Sequence, residues 1–109
     1  MYQNRKAELV MKKVLSLNGI LEKKSFVCKV MKYNEKKERI YLLLKHEELT
    51  SISLDAIYEC RIELEEAVVL CEGRIKERYR NEDGKMLEFQ IENGFYKNSI
   101  KSVDKREVE

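Results

Sequence analysis

The chain has 109 residues, which suits one domain with a modest hydrophobic core. Hydrophobic residues make up 43% and charged residues 39%, a balance that excludes a disordered tail and predicts a folded protein with a densely charged surface. The net charge of +2 is too small for the chain as a whole to bind polyanions, so nucleic-acid binding would need a local basic cluster.

The N-terminal region carries apolar residues at helical spacing, namely Ala7, Val10, Met11, Val14 and Leu17. This spacing predicts a helix over about residues 4–15, followed by a strand near residues 15–21. The dipeptide Asn18-Gly19 offers a second interpretation, because Asn-Gly between apolar residues is also a strong hairpin signal. Whether residues 4–17 form a helix or part of a hairpin stays open at this point.

Two runs of alternating apolar and polar residues follow, over residues 26–33 and 39–45. A polar turn at residues 34–38 joins them, so we predict a β-hairpin. The expected inward residues are Phe26, Cys28, Val30, Ile40, Leu42 and Leu44. Tyr41 and Leu43 lie on the opposite face, which makes that face apolar too and available to a partner.

Three further strands are predicted over residues 57–64, 68–80 and 86–92, with turns between them. Their expected inward residues are Tyr58, Cys60, Ile62, Leu64, Val69, Cys71, Gly73, Ile75, Tyr79, Leu87, Phe89 and Ile91. Glu77 falls on the inward phase, which indicates a bulge or a strand that has left the core. Gly73 suits a sharp bend or a close backbone approach. We therefore predict a mainly β fold. It is one domain over residues 1–109, a small six-stranded antiparallel barrel with an N-terminal helix and a short polar segment from Gly94 onward.

Four basic residues recur at two-residue spacing in the longest predicted strand, at Arg74, Lys76, Arg78 and Arg80. On a regular strand they share one face, with side chains about 6.6 Å apart. Such a row is either a solvated strand face, balanced by acidic residues on the neighbouring strand, or a cradle for an anion.

The residues that carry catalysis or bind metals form no pattern in this sequence. The single histidine, His46, has no cysteine near it, and the three cysteines make no C-x-x-C. We expect those cysteines to be small buried hydrophobes. We predict no catalytic residue, no metal and no cofactor, and hence no enzyme. No signal peptide or membrane-spanning run is visible, so we expect a cytoplasmic protein.

The order of strands and turns from residue 25 to residue 96 resembles PilZ-type split barrels, in particular the N-terminal barrel of flagellar-brake-type proteins. The segments that carry the resemblance are F-V-C-K-V-M-K-Y, R-I-Y-L-L-L-K, L-D-A-I-Y-E-C-R-I-E-L, C-E-G-R-I-K-E-R-Y and L-E-F-Q-I-E-N-G-F-Y. PilZ domains typically bind cyclic di-GMP through R-x-x-x-R near the start of the barrel and D/N-x-S-x-x-G on a following strand. Here R-I-K-E-R lies at residues 74–78, inside a predicted strand, and the second motif has no counterpart. The resemblance implies a barrel kept for protein contacts.

Three functions follow as hypotheses. The first is a non-enzymatic interaction or regulatory module that contacts a protein partner, or a second copy of itself, through Tyr41, Leu43, Phe95 and Tyr96. For Phe95 and Tyr96 the alternative is that they plug one end of the barrel. An apolar outer face predicts a dimer.

The second hypothesis is cyclic di-GMP binding through the basic row, because guanidinium groups bind phosphate oxygens and stack on guanine. The third is single-stranded nucleic-acid binding on an OB-like barrel, with Tyr33, Tyr41 and Tyr96 as stacking platforms. Nucleic acid is the less expected partner, because other aromatic residues fall on the inward phase.

Overall fold

The computed structural model describes residues 2–14 and 24–98. These residues form six antiparallel strands: β1 (Lys6–Val14), β2 (Ser25–Asn34), β3 (Arg39–Leu44), β4 (Ala56–Glu63), β5 (Val68–Asn81) and β6 (Gly84–Asn98). The strands close into a barrel in the order β1-β2-β3-β6-β5-β4. The mainly β, six-stranded antiparallel barrel is thus confirmed. The described residues include no helix long and apolar enough to cross a membrane.

The predicted N-terminal helix is wrong, because residues 6–14 form β1. Ala7, Leu9 and Met11 alternate into the core, so the same stretch that has helical spacing also has strand spacing. Pairing decides between the two, since β1 hydrogen-bonds to β2 on one edge and to β4 on the other and thereby closes the barrel. The strand predicted near residues 15–21 and the Asn18-Gly19 turn lie outside the described residues.

The inward phase predicted for β2, β3, β4 and the first half of β5 is confirmed by burial, as is that of β6. The core residues are Phe26, Cys28, Val30, Ile40, Leu42, Leu44, Tyr58, Cys60, Ile62, Val69, Cys71, Ile75, Leu87, Phe89 and Ile91. The close approach predicted at Gly73 is also present: a Cβ atom there would lie 1.8 Å from the carbonyl oxygen of Gln90 on β6. The predicted polar segment begins as part of β6, which continues to Asn98, and residues 99–109 lie outside the described part.

One end of the barrel is crossed by residues 46–55, which join β3 to β4 across the ring. We call this stretch the cap segment. It contains a single 3-10 turn, Leu49–Ser51. Ile52 is fully buried beneath it, whereas Leu54 is 43% exposed. The backbone N–H of Ser53 donates a hydrogen bond to the Tyr58 hydroxyl, 3.1 Å away, which ties the cap segment to β4.

The opposite end is filled by three aromatic rings, Tyr2, Tyr33 and Phe95, which pack against the core. We call this group the aromatic plug. Ring centroids lie 5.7 Å apart for Tyr2 and Tyr33, 5.2 Å for Tyr2 and Phe95, and 5.3 Å for Tyr33 and Phe95. Tyr2 reaches this position through a backbone turn in which its φ is 63°. The plug thus joins the N-terminus, β2 and β6.

A bulge interrupts β5 at Lys76. Ile75 lies opposite Phe89, but Glu77 lies opposite Glu88, the next residue back along β6, so Lys76 is one extra residue in β5. The bulge that the inward phase of Glu77 indicates in the sequence is thus confirmed. Beyond the bulge the alternation is reversed, and this reversal determines which way the last residues of β5 point.

Candidate functional site

The bulge divides the basic row, so the prediction that its four residues share one face is wrong. Arg74 precedes the bulge and lies on the outer face, where its Nε is 3.1 Å from Oε2 of Glu92. Lys76 is exposed at the bulge itself. Arg78 lies opposite Leu87, a core residue, so it is on the inward phase together with Arg80, at the capped end of the barrel.

The last residues of the row bind the cap segment. Nη1 of Arg78 donates hydrogen bonds to the carbonyl oxygens of Leu49, at 3.1 Å, and of Ile52. Nη2 of Arg80 lies 3.5 Å from Oε1 of Glu48. These contacts provide hydrogen-bond partners for carbonyl groups that the 3-10 turn leaves without strand partners. The end of the basic row therefore has a structural role in fixing the cap segment.

A second apolar group lies on the outer face of the sheet formed by β3, β6 and β5. Leu43, Met86 and Tyr79 are aligned across these strands, and Tyr41 is in the next row of β3. We call these four residues the outer cluster. Met86 is only 4% exposed, while the other three are half-buried. Tyr41 and Leu43 were predicted on this face, whereas Tyr79 was predicted inward and is outward because of the bulge at Lys76.

Charges of opposite sign flank the outer cluster. On the β2 side, Nζ of Lys32 lies 5.9 Å from the centroid of the Tyr41 ring, close enough for a cation–π contact. On the other side Glu88 lies opposite both Tyr41 and Glu77, and its Oε1 accepts a hydrogen bond from Nη1 of Arg39, 3.1 Å away. Burial raises the pKa of Tyr79, and the charge of Glu88 and a hydrogen bond to it act in the same direction. The cluster thus has a basic margin at Lys32 and an acidic margin at Glu77, while the charge of Glu88 is balanced by Arg39.

The predicted partner contacts at Phe95 and Tyr96 do not join this surface. Phe95 belongs to the aromatic plug at the far end of the barrel, where it contacts Tyr2 and Tyr33. The backbone of Tyr96 pairs with Leu70 in β5, and its side chain lies outside the described part of the chain. Tyr33, a predicted stacking platform for bases, is likewise part of the plug, and burial raises its pKa. Phe95 therefore helps to plug one end of the barrel, which is one of the two roles that the sequence predicts for it.

The three cysteines are buried in the barrel with free thiols. Cys60 and Cys71 lie directly opposite each other on β4 and β5. Burial raises the pKa of Cys28 to about 12. The pKa of Cys60 is raised first by a hydrogen bond with Cys71 and then by burial. Within residues 2–14 and 24–98, no three histidine, cysteine or acidic side chains are grouped to hold a metal ion.

Comparison with known protein families, curated proteins and solved structures finds no match. The resemblance to PilZ-type barrels therefore stays a prediction. A six-stranded barrel alone does not define a family, because the same architecture carries unrelated functions.

Proposed function

We propose that this protein is a non-enzymatic interaction module whose contact surface is the outer cluster and whose first partner is a second copy of the same chain. The observation that carries the proposal is the alignment of Leu43, Met86 and Tyr79 across three neighbouring strands on the solvent side of a closed barrel. Residues on that side of a barrel strand are usually polar, because the barrel interior already holds the core.

The composition of the outer cluster suits a contact surface. Two half-buried tyrosines surround a buried methionine. Tyrosine and methionine are enriched at protein–protein interfaces, and charged residues are depleted from the centres of such interfaces. The outer cluster has only four residues, and none of them is fully exposed, which predicts a weak and reversible association rather than an obligate one.

A second copy is the partner that the charge distribution favours. In a dimer with two-fold symmetry the same patch is used on both sides. With the two-fold axis running along the strands, between the two margins, each margin meets the opposite margin of the other copy. Lys29 and Lys32 on β2 would face Glu77 of the second copy, pairing basic with acidic groups at the rim, whereas Glu88 keeps its partner Arg39. Such rim pairs set orientation and association rate more than affinity.

The two ligand-binding hypotheses have less geometric support. Arg78 and Arg80 would have to leave their contacts with the cap segment before they could bind an anion together with Arg74. Stacking of bases on Tyr33 would require the aromatic plug to open. Both hypotheses stay predictions that a titration with cyclic di-GMP and a salt-dependent binding assay with a single-stranded oligonucleotide would test.

The proposal is tested by light scattering over a wide range of protein concentration. The wild-type chain is expected to increase in mean mass toward a dimer. Leu43→Lys places a charge within the outer cluster and is expected to abolish the increase. Leu54→Lys adds the same charge at an exposed apolar residue of the cap segment and is expected to leave it unchanged. A monomeric wild type at millimolar concentration would refute self-association, as would equal effects of the two variants.

A further inference from the structure

We propose that Cys60 and Cys71 form a reversible intramolecular disulfide inside the barrel when the protein meets a peroxide. The pair is independent of the outer cluster, so this inference does not rest on self-association. It rests on the register of β4 and β5, in which the two residues are direct partners, and on their shared position on the inward phase.

The backbone geometry places the two residues at a distance that a disulfide can span. Leu64 donates a backbone hydrogen bond to Ala67 at 2.8 Å across the turn that joins β4 and β5. Hydrogen-bonded pairs recur at every second residue of an antiparallel ladder, so Cys60 and Cys71 form such a pair, with Cα atoms about 5.5 Å apart. Disulfides join Cα atoms that are about 4.4–6.8 Å apart.

The side-chain geometry makes the expected bond reversible. Cβ atoms of direct cross-strand partners are about 4.5–5.5 Å apart, whereas a relaxed disulfide has them about 3.8 Å apart. Closing the bond therefore draws β4 and β5 together locally, and a strained disulfide is more easily reduced than a relaxed one. This distinguishes the pair from a permanent structural staple.

The reaction with peroxide balances without another reactant. The thiolate of one cysteine attacks a peroxide oxygen and becomes a sulfenic acid, and the leaving hydroxide takes up a proton to give water. The second thiol then attacks the sulfenic sulfur, forming the S–S bond and releasing a second water. Two electrons pass from the thiols to the peroxide. Hydrogen peroxide is a small molecule, and it would reach the thiols when β4 and β5 open locally.

Burial sets the rate of this reaction. Both side chains are fully buried, and the thiol proton of Cys60 is held by Cys71 and by the apolar surroundings. Oxidation therefore proceeds only as fast as β4 and β5 open, and conditions that loosen the barrel accelerate it. In an oxidising cell, the fraction of protein with the Cys60–Cys71 disulfide would therefore increase with the frequency of barrel opening.

Peptide mapping tests the proposal directly, because trypsin separates the three cysteines. Residues 25–29 carry Cys28, residues 46–61 carry Cys60, and residues 62–74 carry Cys71. After treatment with hydrogen peroxide, alkylation and digestion, we expect peptides 46–61 and 62–74 to be linked and lighter by two hydrogen atoms than their sum. Dithiothreitol should restore both. The oxidised protein should melt about 5–10 °C higher, since the link constrains the unfolded chain.

Cys28→Ala is the matched control, because it removes a buried thiol and keeps the pair. This variant is expected to form the same linked peptides, and Cys71→Ala is expected to form none. The proposal is overturned if folded wild type keeps both thiols free in peroxide over a time in which the backbone amides of β4 and β5 exchange with deuterium, since the strands have then opened. Linkage of Cys28 in the folded wild type, or a link between two chains on a non-reducing gel, would also overturn it.

Discussion

Arg78 on β5 donates a hydrogen bond to the carbonyl oxygen of Ile52 in the cap segment, across the end of the barrel. Ile52 is fully buried, so this contact gives a partner to a backbone carbonyl beside the core while the Ile52 side chain fills the barrel end. The guanidinium group thus links the longest hairpin to a connection that crosses the ring. Arg78, which the sequence predicts as an anion ligand, thus also has a structural role.

Replacing Arg78 with methionine is expected to lower the free energy of unfolding by about 1–3 kcal/mol, because two backbone carbonyls lose a charged donor. Arg80→Met is the matched control, since the Arg80 pair with Glu48 is well exposed on both sides and contributes less than about 0.5 kcal/mol. Urea unfolding monitored by circular dichroism measures both. Equal losses in the two variants would show that Arg78 does not hold the cap segment.

Gly73→Ala is expected to be the most damaging single-methyl substitution in the barrel. The added Cβ atom would lie 1.8 Å from the carbonyl oxygen of Gln90, and both groups are backbone-bound and cannot rotate away. We expect a loss of more than about 3 kcal/mol, or no folded protein. Gly94→Ala places a methyl group with no atom within 4 Å and should change stability by less than about 1 kcal/mol. Thermal melts that rank the two variants alike would contradict the close approach of β5 and β6.

Phe95→Ala is expected to lower the free energy of unfolding by about 1–3 kcal/mol, because it removes the ring that joins β6 to Tyr2 and Tyr33. A double-mutant cycle with Tyr2→Ala should give a coupling of about 0.5–1.5 kcal/mol. Additive losses would mean that the two rings do not act together in closing that end of the barrel.

Stability should fall steeply in alkaline solution, and Cys28 should account for part of the slope. Its pKa is about 12 in the barrel against an ordinary 9.0, so above pH 9 the unfolded chain releases this proton and the folded chain keeps it. The contribution is complete below pH 9 and is lost as the pH rises toward 12. Cys28→Ala should reduce the slope by up to about 1.4 kcal/mol per pH unit. Urea unfolding under reducing conditions between pH 8 and 10.5 measures it. An unchanged slope would contradict the buried, protonated thiol.

The alternation of apolar residues predicts most of the barrel, since burial on one face is what selects a strand register. It fails at the N-terminus because Ala7, Leu9 and Met11 satisfy strand spacing while Ala7, Val10, Met11 and Val14 satisfy helical spacing. Residues 6–14 form a strand because β2 and β4 each have an edge without a partner, and a strand between them pairs with both edges. A local pattern carries no information about edges that arise from distant residues.

Only part of the outer cluster could be predicted from the sequence. Tyr41 and Leu43 follow from simple alternation, but Tyr79 reaches the same face only because Lys76 is inserted into β5. Glu77 on the inward phase signals that insertion, and applying the reversed phase beyond it would have placed Tyr79 outward and Arg78 inward. The hydrogen bonds of Arg78 to the cap segment could not be predicted, because they join residues that are distant in sequence.

The measurement that bears most directly on the proposed function is a series of amide NMR spectra of the wild-type protein recorded at increasing concentration. We predict that chemical shifts change on the outer face of β3, β6 and β5, around Leu43, Tyr79 and Met86, and that signals of the cap segment stay in place. Constant spectra up to millimolar protein, or changes confined to another face of the barrel, would contradict self-association through the outer cluster.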